Sequence, residues 1–493
     1  MILARALISF IVVFVLQISA ALLSYAFRIL LARALPQTDY GLYFSIFSLF
    51  GLISIFITLG LGTSIAKKVA ELYQRKAFSI LKGSIIFAFF VELLIAIIAF
   101  VLIFLFSNFL AVNYFKVVIS KYLLLIFGLT LFALPFLDLT ININIGLQKP
   151  IFYSLFEFFR HVGIVIFSIF FLFLGLGVLA PTLAFTIAYF FVAIFSFFTI
   201  TKFLKKIFKK RANFSLIKEI FSYGLQVIFY VFAGVVILNT DTLMLTYFKT
   251  LNEVALYNVA APTARALWLF PISLTLVLFP ISAKLWQRKN EVLSKGISLV
   301  YKWSLILIIP LALVAFSFPK IIINFFFGSA YLEASLVLKI LAIAAIAYTF
   351  AAINSSIFIG IGKALTTNAI AWLAAIINFI ANLFLIPKFS ILGAAIASLF
   401  SFLIMCFLSI FLISKIIRIR LNLIDALKIV FCGFAFLALI ALLKAILIIN
   451  PILEFVLVSL LASFAYILLL FLVKSITIDE IAWVISSLLR RIF

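Results

Sequence analysis

Eight ionisable side chains stand inside long apolar runs of this 493-residue sequence: Arg28, Glu92, Asp138, Glu157, Arg160, His161, Asp241 and Arg265. If those runs cross a bilayer, each group costs about 2.5–3.5 kcal/mol on insertion scales and is retained where it faces protein, a wet cavity or a partner charge. Arginine in such a place suits an anion, because it is permanently charged and grips a phosphate with two donors. A carboxylate suits a cation or a proton. His161, the only histidine, suits a proton relay. Acids and bases close in sequence also simply pair with each other.

Position sorts seven of the eight, all but Glu92, into two groups. Asp138 falls in the inner half of the fourth apolar run, and Glu157, Arg160 and His161 lie at similar depth in the fifth. Glu157 is one helical turn from Arg160 and His161, so a structural ion-pair network is the plainer expectation and a relay through His161 the sharper one. In the second group, Gln17, Ser24 and Arg28 share one face of the first run. Gln226, Tyr230, Gly234 and Asp241 form a stripe on the seventh, and Asn258 and Arg265 align with Pro262 on the eighth. Polar stripes of this kind fit a wet cleft, whereas an Arg265–Asp241 bridge would only pack two helices. The eighth run also holds Pro262, Pro271 and Pro280. Proline kinks a helix and frees a carbonyl, which suits a moving part or a static bend.

The elements that must hold these groups follow from composition. The chain is 68% hydrophobic and 11% charged, too greasy for a water-covered surface. A spanning helix needs about 20 apolar residues. Fourteen stretches qualify, at roughly 8–31, 40–62, 83–106, 121–145, 151–174, 178–201, 219–246, 254–282, 298–318, 334–358, 367–386, 390–413, 426–449 and 452–473. The first is too long for a signal-peptide core and is expected to be retained. With the N-terminus inside, 27 of the 38 Lys and Arg fall in inner segments and 8 in outer ones. The positive-inside rule then places both termini on the cytoplasmic side of the cell membrane, and it accounts for the net charge of +24 without any nucleic acid partner.

The sequence also repeats itself. LYQRKAFSILKG (72–83) returns as LWQRKNEVLSKG (285–296), DYGLY (39–43) as EVALY (253–257), and INIGLQK (143–149) as IFIGIGK (357–363). GVLAPTLA from Gly177 is answered by GAAIASLF from Gly393. Six spans separate the copies, so the repeat is parallel, about an axis along the membrane normal. The expected fold is therefore an all-α polytopic membrane protein of about 14 transmembrane helices. An N-lobe of helices 1–6 (1–210) and a C-lobe of helices 7–12 (211–415) would surround a central cavity. Helices 13–14 (416–474) follow, and then an amphipathic interfacial tail helix (475–493).

Other chemistry is not encoded. Cys406 and Cys432 lack ligand spacing. IGIGKALTT lacks the glycine–lysine spacing of a phosphate loop, and the glycines of TLGLGTS sit at a span end, where they serve packing or a bend. No metal, cofactor or ATP-binding module is expected, so transport would be secondary or passive. H⁺, Na⁺ and the membrane potential are open as driving forces.

DYGLYFSIFSLFGLISIFITLGLGTSIAKKVAE (39–71), NTDTLMLTYFKTLNEVALYNVAAPTARAL (239–267) and LIPKFSILGAAIAS (385–398) resemble the polysaccharide flippase family of the multidrug/oligosaccharidyl-lipid/polysaccharide exporter superfamily. The resemblance implies two six-helix lobes in a V around a cationic cavity. The implied function is a flippase, not an enzyme, carrying a polyprenyl-(pyro)phosphate-linked oligosaccharide from inner to outer leaflet by alternating access. Other glycan-assembly proteins would be candidate partners. Arg265 and Arg28 would hold the phosphate, while Asp241, Asn258, Gln17, Ser24, Gln226 and Tyr230 would be polar cavity or coupling residues. A peptidoglycan-precursor flippase is a close relative, and an ion-coupled multidrug exporter is the competing reading. Cargo of the latter is usually cationic and calls for an acidic cavity.

Overall fold

A computed structural model describes residues 2–286, 290–417, 423–447 and 449–477, with side chains for all of these except 2–10, 230, 276–277, 290 and 423. No strand occurs among the described residues. Among the described residues, thirteen helices are long and apolar enough to cross a membrane. One of them, Ala364–Ile417, runs 54 residues, about 80 Å if straight and far more than a bilayer core. It reverses at Ser390 (φ 52°, ψ −130°), where Gly393 lets the second arm close on the Leu385 carbonyl. Its arms are the two spans expected at 367–386 and 390–413. Of the tail helix expected at 475–493, residues 478–493 lie outside the described residues.

The fold divides into two compact units, Met1–Asn258 and Val259–Phe493. This division by packing falls inside the eighth span, whereas the lobes expected from the repeat meet at 210/211.

The first unit contains α1 (Ile2–Ala34), α2 (Gln37–Thr58), α3 (Leu61–Gln74), α4 (Phe78–Phe109), α5 (Ser120–Thr130), α6 (Leu134–Gly146), α7 (Ile151–Phe173), α8 (Leu179–Phe208) and α9 (Ile217–Phe248), and α10 (Leu251–Arg265) leads out of it. The second span is a broken one. Leu59 (φ 44°) and Gly60 (φ 66°) are both left-handed, so the chain leaves α2 and restarts as α3. Glycine accepts that conformation freely and leucine does not. α3 is amphipathic: Leu61, Ile65, Val69 and Leu72 pack with residues of α4, α6, α8 and α9 in one apolar core. Its buried Lys68 bonds Glu71 at 3.2 Å and Glu219 of α9 at 2.7 Å. Burial works against the Lys68 ammonium, but the two carboxylates outweigh it and hold the group above the usual lysine range. The bridge therefore keeps its positive partner through neutral pH, losing it only as pH rises through that raised value.

The first basic repeat loop has a structural task. Lys82 Nζ reaches the Phe208 and Lys210 carbonyls, at 3.1 and 3.0 Å, and so caps the C-terminus of α8. Ser79 Oγ donates to the Arg211 carbonyl at 2.6 Å. Of the second copy, residues 287–289 lie outside the described set.

The second unit holds α11 (Leu269–Trp286), α12 (Asn290–Ser317), α13 (Pro319–Phe327), α14 (Ser335–Gly360), α15 (Ala364–Ile417), α16 (Leu423–Ile446) and α17 (Pro451–Leu472). α16 and α17 pack on α12 through Ile306, Ile309, Cys432, Phe436 and Tyr466. Cys432 is a packing residue in that core. Phe173, Leu365 and Leu472 are strongly exposed, as expected of helices whose solvent is lipid.

Candidate functional site

Arg28 lies half-buried on α1. Its guanidinium stands 4.1 Å above the Phe44 ring of α2, and its Nη1 points at the Asn258 carbonyl from 3.5 Å. Tyr40 Oη approaches the same oxygen at 3.4 Å. Both contacts are long, so the carbonyl is shared rather than gripped. It is available because the residue four further on is Pro262, which has no N–H to give it. Among the described residues, no carboxylate comes within ion-pair distance of Arg28. The cation is thus positioned by a ring and a backbone dipole, with its charge left for something else.

Asp241 of α9 is only 1% exposed, and Tyr257 of α10 donates its hydroxyl to it. One residue on, Thr242 Oγ1 meets Asn258 Nδ2 at 3.2 Å. These bonds lock the α9–α10 hairpin and put Asp241, Asn258 and Arg28 in one neighbourhood. Other members of the stripes are elsewhere. Gln17 donates to Ser154 of α7 at 3.4 Å. Ser24 is half-buried on α1, and Gln226 is exposed on α9. The side chain of Tyr230 lies outside the described set.

A second polar cluster lines a cavity of about 140 Å³ between α6, α7 and α8, with Thr58 at the end of α2 on its wall. Arg160 donates to Glu157 and lies 4.8 Å from the Tyr189 ring. His161 Nδ1 faces the Glu157 carbonyl at 2.8 Å. Only an N–H can bond a carbonyl, so that nitrogen carries the proton. Asp138 opens on the same cavity, yet its hydrogen bond is to Asn142 Nδ2 at 3.1 Å, not to Arg160. Its carboxyl also faces Glu92 of α4, which is fully buried.

In the second unit Arg265 ends α10, its guanidinium 5.7 Å from the Trp268 ring. Trp268 stacks on Tyr348 of α14 at 3.9 Å, and Phe402 of α15 stands edge-on to it at 5.6 Å. Sequence reasoning passed over Tyr40, Tyr189, Tyr257 and Trp268, since aromatic residues in a lipid-facing helix carry no signal of their polar ends. It noticed Glu92 but found no partner for it.

Comparison with known proteins agrees with this architecture. A family model described as polysaccharide biosynthesis protein matches residues 6–286. The chain is 31% identical over 494 residues to MJ1068, a membrane protein of Methanocaldococcus jannaschii, covering 96% of each. It is 28% identical over 220 residues, 43% of this chain and 45% of the relative, to the probable low-salt glycan biosynthesis flippase Agl15 of Haloferax volcanii. Among solved structures it is similar to the lipid II flippase MurJ in an inward closed conformation. The TM-score is 0.73 at 17% identity, with 92% of this chain and 98% of the other covered. The chain belongs to the polysaccharide biosynthesis protein family.

Proposed function

We propose that this multi-span membrane protein is a flippase-type transporter whose cargo is a glycan on a polyprenyl phosphate or pyrophosphate, moved from the inner to the outer leaflet of the cell membrane by alternating access. The observation that carries this reading is Arg28, a cation inside a span whose neighbours are a ring and a carbonyl rather than an acid. An anionic head entering a low-dielectric site needs such a partner, since an unpaired charge there is prohibitive. Arg265, half-buried beside Trp268, is the second candidate phosphate ligand. Asp241 and Asn258 position the region around Arg28, and the polyprenyl tail stays in lipid. Both termini are proposed to be cytoplasmic.

Thermal unfolding of the purified chain in detergent tests this. A ligand at 100 times its dissociation constant stabilises by about 2.7 kcal/mol. A polyprenyl-pyrophosphate glycan should raise the midpoint of wild type. Arg28→Ala should lose about tenfold or more in affinity, the worth of one charge-assisted bond, while Arg28→Lys, which keeps the charge but not the fork, falls between. Stabilisation by cationic dyes alone, with no response to the glycolipid, would sink the reading in favour of a drug exporter.

A further inference from the structure

The break between α2 and α3 sits beside two acids that no part of the reading above uses. α3 starts at Leu61, and the amide of Gly62, in its first turn, lies against the Asp138 carboxylate. The first amides of any helix have no internal partner, and the helix dipole favours negative charge there. Gly62 is required by this contact: a Cβ on it would lie 1.9 Å from Asp138 Oδ2 and 2.3 Å from Asn142 Nδ2. Glu92 approaches from α4. It is fully buried, and no donor among the described residues reaches either of its oxygens. Gly62 and Glu92 are level in depth. Each is about 20 Å along its helix from the short turn that joins α3 to α4.

Two facing carboxyl groups can bond only if one is protonated, and two bare charges without solvent repel strongly. The surroundings say which is which. Asp138 Oδ1 has Asn142 Nδ2 at 3.1 Å, which favours its anion, while its Oδ2 lies at the positive end of the α3 dipole beside Gly62 without taking a hydrogen bond from the described residues. Glu92 has nothing but Asp138. Other ionisable groups on the elements packed against α4 are engaged elsewhere or distant. Lys68 of α3 is held by Glu71 and Glu219, Tyr189 of α8 lies against Arg160, and Asp241 of α9 takes the Tyr257 hydroxyl. The acids and bases of α2 and α5, such as Asp39 and Lys121, lie near the first turns of those helices.

We infer that Glu92 and Asp138 form a proton-binding site at the broken second span, with Glu92 donating its proton to the Asp138 carboxylate and the cavity of Asp138, Glu157 and Arg160 serving as the exchange route. On release, the proton passes from a Glu92 oxygen to an Asp138 oxygen and then to water in the cavity, leaving two carboxylates. The cavity's 140 Å³ has room for several waters, with Thr58, Asp138, Glu157, Arg160 and Tyr189 as polar partners on otherwise apolar walls. The doubly ionised state lacks a second set of donors, so it persists only until a proton returns. Discontinuous helices with a terminus aimed at an ion are the common way to build coupling sites in a bilayer. The site's use in coupling rests on the transporter reading, but its existence does not.

Infrared difference spectroscopy of the full-length purified chain tests the site directly. The stretch of a protonated carboxylic acid is separate from carboxylate bands and shifts in D₂O. Wild type should show it at neutral pH, Glu92→Gln should lose it, and Asp138→Asn, which changes the acid's hydrogen-bond partner, should move its frequency. A wild-type spectrum without the band overturns the site whether or not any variant folds, as does a band that survives Glu92→Gln in folded protein or vanishes on adding Na⁺. In proteoliposomes, a pH gradient should speed glycolipid movement by wild type and not by Glu92→Gln. A band that behaves as expected while the glycolipid binds neither protein leaves the proton site standing and removes the substrate reading. Glycolipid binding without the band does the reverse.

Discussion

Gly62 and Gly234 are both helical glycines, and the same substitution at each should have opposite signs. Among the described residues nothing lies within 4 Å of where a Cβ would stand on Gly234, so Gly234→Ala removes backbone freedom and should stabilise by about 0.5–1 kcal/mol. At Gly62 the methyl would land on Asp138 and Asn142, and Gly62→Ala should destabilise by about 1–3 kcal/mol. Unfolding in detergent with both variants side by side decides it, since equal shifts would mean that space at Gly62 is not tight. The same measurement on Tyr257→Phe should show a loss of about 1–3 kcal/mol, because Asp241 stays buried without that donor. Such pairings were only partly legible in the sequence. Helical spacing finds Glu157 with Arg160, since both are on one face of one helix. The same logic assigned Asp138 to them across a hairpin, where its hydrogen bond goes instead to Asn142 and its carboxyl faces Glu92. A partner 46 residues away on another helix depends on the rotation of both helices, which no single apolar run records.

At the scale of helices, lipid made most of the fold readable, because every backbone bond must close within its own span and each span becomes one apolar stretch. Breaks inside spans were harder. TLGLGTS was legible as a bend, but its use was not, because Asp138 reaches it from another part of the chain. Pro262 gives the most direct test of what a break does. It leaves the Asn258 carbonyl without a helical donor, and Arg28 and Tyr40 share that oxygen. Pro262→Ala would return the missing N–H and let α10 close on itself. The helix should gain stability, by about 1 kcal/mol or more, while Arg28 loses the dipole that positions it. We expect a higher unfolding midpoint together with a smaller stabilisation by the polyprenyl glycolipid. A variant that gains both would show that the carbonyl competes with the cargo for Arg28 rather than aiming it.

For the whole molecule, direction is set by topology, and topology rests on charge. The last turn of α8 and the linker after it carry Lys205, Lys206, Lys209, Lys210 and Arg211, and the Phe208, Lys210 and Arg211 carbonyls there are held by Lys82 and Ser79. A cluster of that size resists translocation and should stay inside. Asn113, exposed beyond the far end of α4, should face out. In a background without Cys406 and Cys432, a membrane-impermeant maleimide on intact cells should label Asn113→Cys and spare Lys209→Cys, and inverted vesicles should give the reverse. Neither change disturbs an ion pair among the described residues, so insertion itself should be unaltered. A reversed pattern would turn the whole chain over. It would put the broken span, the Glu92–Asp138 pair and its cavity nearer the outer face, and a cargo loaded from the cytoplasm would then have to reach Arg28 from the opposite end of α1.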